Sequence, residues 1–334
     1  MKLSISLIVP VYNRPDEIDE LLQSLCDQAT NRKFEVVIIE DGSAYTSESV
    51  LKKYRSLLDI AYFFKENSGP GDSRNFGMNK AKGNYFIILD SDCILPPDYI
   101  ETVFGELESN YVDCFGGPDA AHSSFTPLQK AINYAMTSLL TTGGIRGHKN
   151  AIDKFQPRSF NMGISKEVFE STGGFGKIHP GEDPDLTIRI WEKGYETRLF
   201  PNAFVYHKRR ISWKKFYLQV HKFGLTRPIL NKWHPHTKKL TYWFPGLFSL
   251  LLIVAIFLSL FGYFLPIMAM LLYFLLIFVE SLIKNKNLLV ALLSIPAVII
   301  QFFGYGYGFF KSTWKVGIMK RTPEKAFPKL FFLR

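Results

Sequence analysis

Four short apolar runs mark the first ninety residues, and most of them end in polar or acidic positions. Residues 3 to 11 (LSISLIVPV) alternate and then run apolar, which predicts a strand stopping at Tyr12-Asn13-Arg14. Pro15 and the acidic turn Asp16, Glu17, Asp19 and Glu20 predict a helix start, with Ile18, Leu21, Leu22 and Leu25 on one face. Residues 34 to 39 predict a second strand running into Glu40-Asp41-Gly42-Ser43. Ser47 to Leu58 reads as a helix, Ile60 to Phe64 as a strand, 67 to 72 as a Gly/Pro loop and Ser73 to Ala81 as a helix. Phe86, Ile87, Ile88 and Leu89 form an unbroken apolar run, as in a strand covered on both faces. It ends in Asp90 and Asp92.

Further on the signals shorten. Val112 to Phe115 and Phe160 to Gly163 read as strands, 127 to 140 as a helix, 141 to 150 as a Gly-rich basic loop, Asp185 to Lys193 as a helix and Ala203 to Tyr206 as a short strand. Trp213, Phe216, Tyr217, Val220 and Phe223 then repeat at helical spacing, with Lys214, Lys215 and Lys222 on other faces. That is either an amphipathic helix in a membrane interface or a core-packing helix. Phe244 to Tyr263, Leu265 to Ile283 and Leu288 to Phe310 are each long and apolar enough to cross ~30 Å of hydrocarbon. The third contains Pro296 and reads as a span, as re-entrant, or as broken there.

Charge sharpens this division. Residues 1 to 197 carry 20 basic and 28 acidic side chains, a net of −8, whereas the whole chain is +10. The excess positive charge flanks the apolar stretches, the pattern of a membrane protein and not of a nucleic-acid binder. Lys284 and Lys286, with the basic stretch before residue 240, place the ends of the first two spans on the cytoplasmic side. Cys26, Cys93 and Cys114 lack metal-type spacing and Lys2 precedes only a short run broken by Pro10, so a reducing, cytoplasmic setting and no signal peptide are expected. The expected organisation is a catalytic domain over 1–210, a basic amphipathic membrane-interface segment over 211–240, two to three spans over 241–310 and a basic tail over 311–334.

Strands alternating with helices, several with acid at their carboxyl ends, describe a βαβ nucleotide-binding half. Neither GxGxxG nor a P-loop is present. Asp90 and Asp92 are two hard carboxylates at one strand end, suited to Mg²⁺ or Mn²⁺; the other reading is an Asp-capped turn. Arg74, in the first turn of its expected helix, suits a phosphate, or is a surface arginine. Glu182 and Asp183 precede a helix and are either an acidic N-cap or a base; Asp183, near the positive helix end, is expected to stay ionised at neutral pH. His207 is either a structural histidine or a ligand to metal or diphosphate, and Arg209 and Arg210 are either diphosphate contacts or juxtamembrane charge.

PVYNR at 10 to 14, EDGS at 40 to 43, the loop and SRN at 73 to 75, NKAKGNYFIILDSD at 79 to 92, GGFGKIHPGEDPDLTIRIWEKGY at 173 to 195 and HKRRIS at 207 to 212 together resemble the family 2 glycosyltransferases of the membrane-anchored bacterial type. The resemblance covers roughly residues 1 to 230. It implies a GT-A fold, α/β with a Rossmann-like, mixed but mostly parallel sheet, followed by the interfacial helix and transmembrane helices. It implies an inverting, metal-dependent transfer from a nucleotide-diphosphate sugar, with UDP as the family default, to a membrane-associated, lipid-linked glycan acceptor at the cytoplasmic membrane. Pro10, Tyr12, Asp41, Gly69, Arg74 and Asp90 would bind the nucleotide, Asp90, Asp92 and His207 the Mn²⁺ or Mg²⁺, and Asp183 would be the base. Glu182, Arg209 and Arg210 would meet diphosphate or acceptor. A processive synthase would carry a Q-x-x-R-W motif; RRISW at 209 to 213 lacks the glutamine and the spacing. A catalytically silent binder would lack Asp90, Asp92 or Asp183, and all are present.

Overall fold

β1 (Ile5–Val11), α1 (Pro15–Cys26), β2 (Phe34–Asp41), α2 (Glu48–Leu51), β3 (Asp59–Lys65), α3 (Pro70–Lys80) and β4 (Tyr85–Leu89) follow one another in a computed structural model that describes residues 2–120, 125–142, 154–207 and 212–332. β5 (Cys93–Ile94), α4 (Tyr99–Ser109), β6 (Cys114–Gly116) and β7 (Asp119–Ala120) come next. After α5 (Pro127–Thr137) and α6 (Leu139–Thr142), the chain adds β8 (Asn161–Ser165), α7 (Lys166–Thr172), α8 (Glu182–Glu192), β9 (Thr197–Leu199) and β10 (Val205–His207). The chain divides into two units, one of Met1–His122, Ile145–Lys208 and Phe331–Arg334, the other of Ser123–Gly144 and Arg209–Leu330.

In the first unit a seven-stranded sheet runs β3-β2-β1-β4-β8-β6-β9. It is parallel except for β8, which pairs antiparallel with β4 and β6. Alternation sorts the strand side chains onto two faces. Leu7, Val9, Ile87 and Leu89 pack with Ile18 and Leu21 of α1 and Ile100 of α4. Ile8, Phe86 and Ile88 face Met78 of α3 and Leu186 and Ile190 of α8. All five residues of β4 are buried, as its unbroken apolar run requires, and each fully buried Leu or Ile contributes about 1.5–3 kcal/mol. The strand therefore cannot slip without placing Asp90 inside or Leu89 in water.

Several helices differ from the expected bounds. α2 stops at Leu51 and the chain continues to Leu58 in mixed three- and four-residue turns; Tyr54 in this segment is buried and donates its hydroxyl to Asp19 Oδ1 at 2.7 Å, a tertiary demand that overrides the helical pattern. α3 starts at Pro70, a favoured first helical position, so Arg74 lies in its second turn and not its first. α8 starts at Glu182, so Glu182 and Asp183 are in its first turn and do not precede it. Gly181 at φ 123° makes the corner, and Pro184 sits where a helical N–H has no partner anyway. The helix expected over 127 to 140 breaks at Ser138. Most of the loop expected over 141 to 150 lies outside the described residues.

A second sheet holds only β5, β10 and β7, in that order. It pairs His207 with Cys93 and Val205 with Asp119. Three fragments distant in sequence thereby meet beside the acidic end of β4.

The second unit gathers α5 and α6 with α9 (Trp213–Trp233), α10 (Phe244–Ser259), α11 (Leu265–Asn285), α12 (Leu288–Ser312) and α13 (Pro323–Ala326). Three helical segments among the described residues, Leu240–Ser259, Leu265–Asn285 and Leu288–Ile318, are long and apolar enough to cross a membrane. α12 runs unbroken through Pro296 and then widens into a π-helical turn, so the break expected there is absent. α9 lies inside the 211–240 segment expected to be amphipathic, and its Phe216 and Val220 share one core with Ala297, Val298 and Phe302 of α12. Gly224 and Gly308 let the two backbones meet, since a Cβ on either would overlap a carbonyl oxygen of the other helix. Phe216 and Val220 of the α9 stripe are thus covered by α12, while Tyr217 stays exposed. α5 is tied to α11 through Glu280, which accepts from Tyr134 Oη at 2.5 Å and Ser138 Oγ at 2.6 Å.

Candidate active site

Most candidate side chains stand where a strand stops or a helix begins; Arg74 reaches in from the second turn of α3. Asp41 ends β2, and its carboxylate accepts from Lys65 Nζ at 2.6 Å and from the amides of Ser68 and Gly69, each at 3.0 Å. Gly69 is the N-cap of α3 at φ 93°. Pro10 and the exposed Tyr12 close β1, where Asn13 accepts from the Ala44 amide at 2.8 Å and ties the first two strand ends together. Pro10, Tyr12, Asp41 and Gly69 thus share the carboxyl edge of the sheet.

The loop after β4 supplies the second group. Arg74, only 3% exposed and no surface arginine, donates from Nη2 to Asp90 Oδ1 at 2.8 Å and from Nη1 to Glu182 Oε1 at 3.1 Å. Its guanidinium also lies 5.2 Å from the centroid of Phe175. A buried cation demands such partners, because a lone charge there costs several kcal/mol. Glu182 is also 2.8 Å from His179 Nδ1. Burial works to raise the Glu182 carboxyl, but His179 and Arg74 outweigh it and hold the group below the usual glutamate range. Asp183, the next residue, moves the other way. Burial and then the Glu182 charge raise it above the usual aspartate range, while Arg74, Arg158 and a hydrogen bond to Ser159 offset part of that rise. Its Oδ1 is buried with no hydrogen-bond partner among the described residues. A carboxylate oxygen with no donor on it and a raised proton affinity suit a general base.

On the other side of Asp90 is the third group. His207 Nε2 lies 3.1 Å from Asp92 Oδ1 and 4.0 Å from Asp90 Oδ2, and its ring stacks on Phe160 at 4.8 Å. The side chain of Asp119, almost fully buried, has Oδ2 3.9 Å from His207 Nδ1. A carboxylate behind a histidine whose other nitrogen faces a second carboxylate is the usual backing of a metal ligand. The 3.1 Å gap matches neighbouring ligands on one ion with bond lengths of about 2.1 Å. Cys93 Sγ belongs to the same cluster. Burial raises its thiol well above the usual range, and it donates to the Phe160 carbonyl at 3.4 Å, so it fits as a packed thiol and not as a thiolate ligand. Aspartate oxygens with one imidazole suit Mn²⁺ or Mg²⁺.

The structure therefore links Arg74, Asp90, Asp92, Glu182 and His207 into one chain of polar contacts, with Asp183 adjoining it. Asp41 and Gly69 form a separate clamp, and Arg209 and Arg210 lie outside the described residues. His179, Asp119 and Lys65 were not visible as site residues from the sequence. The proline after His179 and the Gly-Gly-Pro before Asp119 mark turns, and only the fold turns those side chains toward the carboxylates.

Residues 6–173 match the sequence pattern of Glycosyl transferase family 2. The chain is 34% identical to the glycosyltransferase GlyA of Streptococcus pneumoniae over 110 residues, 33% of this chain and 16% of that protein. It is 25% identical to the chondroitin synthase of Escherichia coli over 236 residues, 61% of this chain and 34% of that protein. The chain thus spans only about a third, or less, of the length of these relatives. Among solved structures, the mannosyltransferase PcManGT from Pyrobaculum calidifontis, in complex with GDP-Man and Mn²⁺, is alike in fold. The TM-score is 0.58 at 15% identity, covering 94% of this chain and 88% of that one. With the mixed, mostly parallel seven-stranded sheet, this gives the GT-A fold expected from the sequence.

Proposed function

The chain belongs to glycosyl transferase family 2, and on that premise we propose that it is an inverting glycosyltransferase. It moves a sugar from a nucleotide-diphosphate donor to a membrane-associated, lipid-linked acceptor. The observation that carries this reading is Asp183 in the first turn of α8, whose Oδ1 has no hydrogen-bond donor among the described residues and whose proton affinity is raised. In the proposed reaction the acceptor hydroxyl oxygen attacks the anomeric carbon and its proton passes to Asp183 Oδ1. The bond from that carbon to the diphosphate breaks, and its electron pair leaves with the diphosphate. Attack from the face opposite the leaving group inverts the anomeric configuration.

Asp92 and His207, with Asp90 beside them, would hold a Mn²⁺ or Mg²⁺ ion. Bound there, it would neutralise the diphosphate charge. Arg74 keeps Asp90 and Glu182 in place, and Glu182 sets the proton affinity of Asp183 through its charge. Pro10, Tyr12, Asp41 and Gly69 line the edge assigned to the nucleotide.

The apolar helices support membrane anchoring, and the basic residues before residue 240 and at Lys284 and Lys286 favour a cytoplasmic active site at the inner membrane. Phe331, beyond α12, pairs with Ile178 of the first unit. This bridge supports a return of the chain to the side it left, and with it an even number of complete crossings. We assign these to α10 and α11. The function is tested by incubating detergent-purified protein with a panel of nucleotide sugars, with and without Mn²⁺. Release of nucleotide from one donor, dependent on the metal, is expected; release from none overturns the reading.

A further inference from the structure

Phe331 and Phe332 follow three apolar helices in sequence, yet they fold into the unit that holds the candidate site. Phe331 forms an antiparallel bridge with Ile178, and the Phe332 amide donates to the Lys177 carbonyl at 3.2 Å. The Phe332 ring lies on the open face of Gly69, so close that a Cβ there would overlap it. Its centroid is 6.2 Å from that of His179. This one side chain therefore touches two segments with different duties. Gly69 belongs to the clamp on Asp41. His179 holds Glu182 at 2.8 Å, next to Asp183. The ring is 38% exposed, so it covers Gly69 without being locked into the core.

We propose that Phe331 and Phe332 form a strap that fastens segment 175–182 against the Gly69 turn, with Phe332 a positioning residue for the His179–Glu182 pair and, through it, for Asp183. The backbone bridge ties the segment at Ile178, and the ring fills the surface that Gly69 leaves bare. The catalytic consequence rests on the transferase reading; the strap itself does not.

The test uses the full chain in detergent, comparing wild type with Phe332→Ala and Phe332→Leu by hydrogen exchange, nucleotide calorimetry and steady-state kinetics. In Phe332→Ala, peptides covering 175–182 and 67–70 should exchange at least tenfold faster, and kcat should fall at least tenfold while nucleotide Kd stays within twofold. Phe332→Leu should restore most of both, and it is compared directly with wild type should the alanine variant not fold. Unchanged exchange overturns the strap, and a Kd that rises in step with the loss of kcat overturns the positioning role in favour of a donor contact. If wild type transfers no sugar, the transferase reading fails while the exchange data still decide the strap.

Discussion

Arg74→Met tests the polar chain at its middle. The side chains of Arg74 and Glu182 are 4% and 5% exposed, so the methionine leaves Glu182 in a buried place with its contact to His179 but without the guanidinium; Asp90, at 32%, regains water. Removing one partner of a buried pair costs about 3–5 kcal/mol, and loss of the contact with Phe175 adds roughly 0.5–1 kcal/mol. Urea unfolding of the full chain in detergent should show a loss in that range, and adding Glu182→Gln should recover about 1–3 kcal/mol of it as coupling between neighbours. The sign with pH follows from the carboxyl of Glu182, where burial raises but His179 and Arg74 lower it, to about 2. A depressed carboxyl contributes stability that is full above the unfolded value of about 4.3 and is lost as pH falls through the folded one. The gap between wild type and Arg74→Met should therefore be widest above about pH 4.3 and narrow toward about pH 2. A loss under about 1 kcal/mol, or a gap that widens on acidification, refutes the reasoning.

Asp119→Asn should weaken Mn²⁺ binding, read by calorimetry, about 10–100-fold by loosening the orientation of His207; unchanged affinity removes Asp119 from the site. Glu182→Gln should move the acid limb of kcat/KM to lower pH, because the Glu182 charge is one cause of the raised Asp183 carboxyl; a limb that moves up counts against that coupling. Gly224→Ala places a Cβ on the Tyr305 carbonyl and should destabilise by about 1–3 kcal/mol. Gly105→Ala in α4, with nothing within 4 Å, should instead stabilise by up to ~1 kcal/mol. Equal unfolding midpoints for the two variants contradict the close α9–α12 packing.

The parts legible in the sequence are those where local pattern and tertiary environment agree. β1, β2 and β4 are apolar runs that the sheet buries, so they declare themselves, and with them the acidic ends Asp41, Asp90 and Asp92. β5, β7 and β10 have two or three residues each, too short for any period, and pairing alone makes them strands. His207 was visible through its motif, but Asp119 was not, because it joins His207 only through the pairing of β7 with β10. The stripe on α9 has one appearance whether lipid or α12 covers it. Its glycines on α12, 304 and 308, became meaningful once the two helices were seen packed. Phe332 carries no local signal at all, since a single aromatic in a basic segment gains its role from Gly69.

The central claim is that Asp183 takes the acceptor proton, and Asp183→Asn tests it most directly. Asparagine keeps the size and a carbonyl acceptor but cannot accept the proton, so donor Kd measured by calorimetry should stay near wild type while transfer falls about 10²- to 10⁴-fold. Wild-type turnover in the asparagine variant, or a product that keeps the donor's anomeric configuration, would contradict the account.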